Sequence, residues 1–462
     1  MELGDMLVRD PEQFKERCKE REHQTTIAYF GLDLMITKEG AIRCIEINGH
    51  NSGTKGFKEA YGEDFARKGV IKYLASFGLP VTIYTYDADE KNDRWAEESL
   101  DVKVFDIEKV NLECSKEALS LFEFIKTKDL AQFVASWWTM SDESYYKRRA
   151  SLSSEEVSSF EDIFRRLLAG RMGLRWTADS LGGLHSISQA EGIIWANNGI
   201  HFVFDEEKYL VVNPSLIEFA TENKLVSEIL MAPYSFPSCP VFPDQLEAGN
   251  KMLAKYLNIV RSPKIILKPN NGACGNGVVV LDKRKLLNSA GEMRKEVSYY
   301  LEEPGVWFED KKIIKGFEVL RKSERILVQP FIESKPFYSA QTGKNHHGSI
   351  RYVAMVRSEG GNISVHHIGG YVRLAPEPIG DSMDACVANL ARGAHAVPLS
   401  ERDKNRLELW VDYALPHFYR RALRLAACPP EAPVNNCAFV EKFDRFYKSP
   451  WTWYQHNEID GY

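Results

Sequence analysis

Lys264-Ile265-Ile266-Leu267-Lys268-Pro269-Asn270-Asn271-Gly272-Ala273-Cys274-Gly275-Asn276-Gly277-Val278-Val279-Val280-Leu281-Asp282 is the stretch on which the fold turns. Two short apolar runs flank a glycine-rich centre, which reads as strand, loop, strand. Glycines at 272, 275 and 277 let the backbone approach a phosphate and aim its N–H groups inward. Lys268, at the end of the first strand, offers a point charge to an α- or β-phosphate oxygen. No G-K-[ST] follows, so the loop is not a Walker element. A strand rather than a helix follows the glycines, which excludes a dinucleotide fingerprint. Taken alone, the stretch reads equally well as a glycine-rich hairpin turn.

Its surroundings add to it. Upstream, Asn223-Lys224 stands at the head of a helical stretch, SLIEFATENKLVSEILM, and a second amphipathic helix is expected around 244–257. Downstream, Ile326-Leu327-Val328-Gln329-Pro330-Phe331-Ile332-Glu333 is an apolar strand that runs into a carboxylate. Backbone groups of Gln329, Pro330, Phe331 and Ile332 could meet an adenine edge, and Glu333 a ribose hydroxyl. Arg351 in GSIRYVAMV and Arg373 in GGYVRLAP carry guanidinium forks suited to phosphate. Either arginine also reads as an exposed strand residue. RILVQPFIE, SIRYVAMVR, ISVHHIG and YVRLAP are expected as strands of one antiparallel sheet. The stretch 399–426 is expected as a long helix ending before Pro429-Pro430.

In this order, through to Asn389-Leu390-Ala391-Arg392-Gly393, the motifs resemble the ATP-grasp superfamily, of the carboxylate–amine ligase kind. The resemblance is best from about 210 to 400. It implies two α/β lobes gripping ATP, with the glycine loop closing over the phosphates. The family's two lysines fall on Lys224 and Lys268, with Asn271, Gly272, Gly275 and Gly277 in the loop. Its adenine hinge falls on Gln329 to Ile332 and its ribose acid on Glu333. Arg373 and Arg351 become the catalytic arginines.

The family also needs acidic magnesium ligands, from a G-x-D strand and an E-x-N strand that close the fold. Nothing after Arg392 fits: Glu441, Asp444 and Glu458 lie in no such pattern. The pair lies at the other end of the chain. Gly31-Leu32-Asp33 and Ile45-Glu46-Ile47-Asn48 are joined through Thr37-Lys38-Glu39-Gly40 in what reads as a β-hairpin. Residues i and i+2 of a strand share a face, so Glu46 and Asn48 point to one side and Asp33 can face them. The resemblance then implies a circular permutation, with the last two grasp strands moved to the N-terminus. Asp33, Glu46 and Asn48 should converge near Lys268, Arg351 and Arg373. An unrelated solvent hairpin, or strands supplied in trans by a swapped dimer, are the alternatives.

The expected fold class is α/β with α+β lobes, an ATP-grasp fold with an additional Rossmann-like domain. The divisions are 1–60 for the metal-binding hairpin, 61–215 for an α/β substrate domain, 216–320 for the glycine-loop lobe and 321–462 for the second lobe and tail. Within 61–215, strands are expected at PVTIYTY, GIIWAN, HFVFD and YLVVN, and helices at GVIKYLASFG and along 136–170. Residues 11–30 read as helical, and 49–56 as a glycine- and asparagine-rich loop in which His50, Asn51 and Lys55 could meet an acceptor substrate. His346-His347, in a loop, reads more readily as solvated. His366-His367 in a strand face opposite sides, which argues against a shared metal.

The chain has 462 residues, 27% of them charged, with a formal net charge of −6. That balance argues against general nucleic-acid binding, which needs surplus Lys and Arg. No apolar run approaches the roughly 20 residues of a membrane helix, and a polar, acidic opening argues against a secretory leader. The 8 cysteines are scattered without a C-x-x-C pair, the pattern of reduced thiols in a cytoplasmic protein. The expected cofactors are ATP and Mg2+, two ions, with Mn2+ as a substitute. The expected partners are a small carboxylate and an amine, with neither nucleic acid nor membrane, and a homodimer is compatible. The expected activity is ADP-forming ligation through an acyl phosphate. A small-molecule kinase and a nucleotide-binding regulator without turnover are the alternatives.

Overall fold

The computed structural model describes residues 25–49, 54–85, 90–106, 174–175, 185–186, 192–196, 210–214, 217, 220–221, 224–236, 238–270, 275–323, 325–380 and 382–426. The expected helix over 136–170, the strand HFVFD, His50, Asn51, Asn223, Asn271, Gly272, Pro429-Pro430 and the aromatic tail lie outside the described residues.

The first hairpin is built from β1 (Thr26–Ile36) and β2 (Ile42–Asn48), which pair antiparallel. Gly40, at φ +92°, closes the turn where a side chain would be strained. β1 takes over residues 26–30 of the expected helix. Its near-continuous apolar run buries both faces of a central strand, and that burial outweighs helical propensity. α1 (Thr54–Tyr61) already begins within the expected loop 49–56, of which 50–53 lie outside the described residues. α2 (Phe65–Ala75), capped by Asp64, leads to β3 (Val81–Thr85), α3 (Glu90–Ser99) and β4 (Val102–Asp106). With β5 (Ile193–Ala196) and β6 (Leu210–Val211), β3 and β4 form a parallel sheet of order β4-β3-β5-β6.

α4 (Lys224–Met231) precedes β7 (Cys239–Val241) and α5 (Lys251–Ile259). The helix expected over 244–257 is split, because Asn250 caps a new start by accepting from Leu253 N at 2.9 Å. β8 (Lys264–Pro269) and β9 (Val279–Asp282) then flank the glycine loop as an antiparallel pair. α6 (Lys311–Arg321) leads to β10 (Ile326–Pro330), and these strands form a sheet of order β9-β8-β10-β7. β10 was expected in the arginine-bearing sheet but belongs here. All of it is buried, and Ile326 and Val328 pack into this lobe's own core with Ile265, Leu267, Phe317 and Leu320. The sheet that carries the glycine loop therefore takes in residues up to Pro330.

β11 (Gly348–Glu359), β12 (Asn362–Leu374) and β13 (His395–Pro398) complete the third sheet, of order β13-β12-β11-β1-β2. ISVHHIG and YVRLAP, expected as two strands, are one. Gly369 at φ +135° absorbs a register shift without breaking the ladder. α7 (Glu401–Ala426) and α4 cover one face of this sheet through Leu32, Leu34, Ile350, Tyr352, Leu407 and Phe418. The opposite face meets α1, α2 and the parallel sheet through Tyr29, Phe57, Val70, Val353 and Tyr371. Among the described residues the mixed α/β architecture is thus three larger sheets, with helices between them, and two small two-stranded ones. Among the described residues no helix is long and apolar enough to cross a membrane.

Candidate active site

The hairpin and the lysine turn come together. In β2 the register places Glu46 opposite Asp33, but Cys44 opposite Leu34, so Ile45 is an extra, bulged residue. The bulge lets Cys44 and Ile47 both enter the core while Glu46 and Asn48 point the other way. It also turns the Ile45 carbonyl toward the glycine-loop lobe, where it accepts from Lys268 Nζ at 3.5 Å.

Lys224, the first residue of α4, lies 3.3 Å from the Glu46 carboxylate. Its helix is tied to the lysine turn by Asn270, whose Oδ1 accepts from Leu225 N at 2.9 Å and so caps the helix from a distant strand end. Glu228, one turn further on, is buried. It accepts from Ser238 N at 2.7 Å, Ser238 Oγ at 2.6 Å and Gln329 Nε2 at 2.9 Å. Burial pushes its carboxyl up to about 7, against the opposing pull of Lys268, Ser238 and Gln329. Burial likewise lowers the Lys268 ammonium, while Glu228 and Glu46 hold it up and Lys224 adds to the depression.

Asp33, Arg351 and Arg373 form a second cluster on the same face of the hairpin sheet. Arg351 grips Asp33 through Nε at 2.5 Å and Nη2 at 3.1 Å, and Arg373 Nη2 reaches it at 2.8 Å. Burial alone would raise the Asp33 carboxyl, but the two guanidiniums win and hold it below the ordinary aspartate range. Asn48 donates its amide to Gly31 O at 3.2 Å, which turns its oxygen away from the hairpin backbone.

The described end of the glycine loop meets the segment between β12 and β13. Gly275, at φ +70°, has a Cβ position 3.2 Å from Asn389 and 3.5 Å from Arg392. Gly277, at φ +75°, leaves only 2.8 Å to Val319 Cγ1. A Gly277→Ala change combines left-handed strain with that contact and is expected to cost about 1–3 kcal/mol in urea unfolding. A wild-type midpoint would show that the loop is not held this tightly.

The hinge stretch is partly spoken for. Phe331 N donates to Lys264 O at 2.9 Å, and Phe331 O accepts from Ser262 Oγ. Gln329 spends its side-chain amide on Glu228, and the backbone of Gln329 and Pro330 lies in the β8–β10 ladder, which leaves Ile332 as the better placed backbone reader. Beside it Phe331 and Val280 form a small apolar cluster with Ile266, Cys386 and Val387, a wall suited to a flat base. Glu333 is exposed and pairs with Lys38 at 3.2 Å. Lys55 is exposed. His346 is bonded to Ala375 O and Thr342 Oγ1, a structural role. His366 stacks on Tyr73, whereas His367 bonds Asp412 on the other face of the sheet.

Glu228 and Asn270 were absent from the sequence-based set. Glu228 lies four residues after Lys224, the spacing of one helix face, and that was the signal available. Its raised carboxyl binds more protons folded than unfolded between its ordinary 4.5 and about 7. Stability should therefore fall as pH rises through that window and level off above it. Glu228→Gln should flatten this slope in melting curves taken across pH, and an unchanged slope would remove the assignment.

No family model matches the chain, and no curated protein matches it. Among solved structures, it is similar to a protein provisionally assigned as a gamma-glutamylcysteine synthetase from Methylobacillus flagellatus. The identity is 11%, the TM-score is 0.38, and 92% of this chain and 94% of that chain are covered. It is also similar to a glutathione synthetase-like effector from Globodera pallida in apo form, with 8% identity, a TM-score of 0.33 and coverage of 79% and 80%. At TM-scores this low the likeness bears no weight on the chemistry, which rests on the side chains described above.

Proposed function

We propose that the chain is an ATP-dependent carboxylate–amine ligase whose triphosphate site is shared by the opening hairpin and the lysine–proline–glycine turn. The observation that carries this reading is Lys268. Lys268 is buried, 6% exposed, yet among the described residues its ammonium makes one long hydrogen bond, at 3.5 Å. Glu228 and Glu46 offset its burial only in part, and an ammonium with so few hydrogen bonds has donors to spare for an anion. Lys224 pairs with Glu46, and Arg351 and Arg373 pair with Asp33, so both basic groups gather on the same hairpin, which suits a triphosphate laid along its edge.

The reading includes a circular permutation, with 26–48 in the place of the closing grasp strands. It is supported by β1 lying between β2 and the Arg351 strand in one sheet. Residues 61–215 would shape the substrate pocket. For the metal, the donor set is mixed. Glu46 and Asn48 offer oxygen atoms beside the phosphate site, which suits a hard cation that keeps several waters. Asp33 is taken by two guanidiniums and does not fit as a ligand. Bound there, Mg2+ would neutralise triphosphate charge.

The residues of this chain then divide the work. Lys224 and Lys268 hold the phosphates, and the glycine loop excludes water. A substrate carboxylate oxygen attacks the γ-phosphorus as the bond to the β-bridging oxygen breaks, giving ADP and an acyl phosphate. Arg373 holds that acyl phosphate. An amine then attacks the carbonyl, loses its proton, and inorganic phosphate departs. Hydroxylamine trapping tests this: a hydroxamate formed together with ADP and phosphate supports ligation. A stable phosphate ester would indicate a kinase, and no turnover across amino acids and short peptides would indicate a binding protein.

A further inference from the structure

Asp33 is built into the sheet differently from Glu46, its direct cross-strand neighbour. Both of its oxygens are spent on guanidiniums: Oδ1 on Arg351 Nε and Arg373 Nη2, Oδ2 on Arg351 Nη2. It is 6% exposed, and Arg351 and Arg373 are 6% and 7% exposed. Arg373 is fixed from its other side as well, with Nε donating to Ser349 Oγ at 3.1 Å, while Ser349 Oγ donates to Ala388 O at 3.4 Å. Glu46, by contrast, has 29% of its side chain exposed and is held by Lys224 through one oxygen at 3.3 Å.

These are two kinds of carboxylate. A divalent cation on Asp33 would have to displace charge-assisted hydrogen bonds and sit against two guanidiniums. On Glu46 it would displace one ammonium, which a phosphate could take over. Resting on the ligase reading above, we propose that Asp33 is a positioning residue that locks Arg351 and Arg373 into one anion receptor, and that metal ligation falls to Glu46 and Asn48. Two guanidiniums against one carboxylate leave a single net positive charge. That charge is fixed in direction before any ligand arrives. The receptor suits the transferring phosphoryl group or the substrate carboxylate, whose oxygens gather charge during the reaction.

The test is a Mn2+ titration followed by electron paramagnetic resonance, with a non-hydrolysable ATP analogue on wild type, Glu46→Gln and Asp33→Asn. Glu46→Gln should weaken protein-held Mn2+ by at least about tenfold. Asp33→Asn should leave Mn2+ affinity within about twofold, lower kcat, and tighten binding of inorganic phosphate, because two guanidiniums lose their counter-charge. Loss of Mn2+ in Asp33→Asn equal to that in Glu46→Gln overturns the proposal. Should Asp33→Asn fail to fold, anomalous diffraction from the wild-type Mn2+–analogue complex decides. Manganese bonded to Glu46 and Asn48 supports the proposal, and manganese bonded to Asp33 ends it. Failure of wild type to bind the Mn2+–analogue complex at all removes the ligase reading itself, and this proposal with it.

Discussion

Replacing Lys268 with methionine is expected to weaken Mg-ATP binding by about a hundredfold while leaving the fold at least as stable as wild type. The affinity term follows from losing a charge-assisted contact to phosphate in a buried site, worth about 1.5–3 kcal/mol, and a hundredfold is about 2.7 kcal/mol. The stability term has the opposite sign. Burial lowers the Lys268 ammonium below its ordinary 10.5, so the unfolded chain binds the proton more readily. Wild-type stability should therefore rise as pH climbs toward that ordinary value, and the methionine variant should lack the rise. Calorimetric titration and urea unfolding across pH measure the two terms separately. A variant that loses stability and nucleotide together would mean that Lys268 is structural.

Arg373→Met should strike the chemical step. We expect kcat to fall by about a hundred- to a thousandfold, the size seen when a preorganised charge donor is removed, with ATP affinity changed only a few-fold. Arg373→Lys should not rescue it. The guanidinium spans Asp33 and Ser349 at once, at 2.8 Å and 3.1 Å, and a single ammonium cannot hold both. Steady-state kinetics with nucleotide binding measured separately distinguishes the cases. A raised KM at unchanged kcat would place Arg373 in ground-state binding instead.

Much of this site was legible from local pattern. The strand–glycine–strand element, the hairpin carrying Asp33, Glu46 and Asn48, and Lys224 at a helix start follow from periodicity and turn chemistry. What escaped was set by tertiary partners. Short apolar strands look alike, so nothing within 326–330 says that it pairs with β8 rather than β11. The bulge at Ile45 depends on which residues two strands can both bury. Glu228 acquires its role from Gln329, 101 residues away, and Asn270 from Leu225, 45 residues away. Asp33 matched a metal motif, yet it lies in register with Arg351 on a strand more than 300 residues later, a pairing no local spacing reveals.

Titrating Glu46→Gln with ATP, once with magnesium and once with chelator, bears most directly on whether the first fifty residues help to hold a nucleotide. With magnesium the variant should bind about tenfold or more weakly than wild type, near 1.4 kcal/mol. With chelator it should bind as well or better, because a carboxylate that competes for Lys224 is gone. Equal affinity of variant and wild type in magnesium would contradict the account.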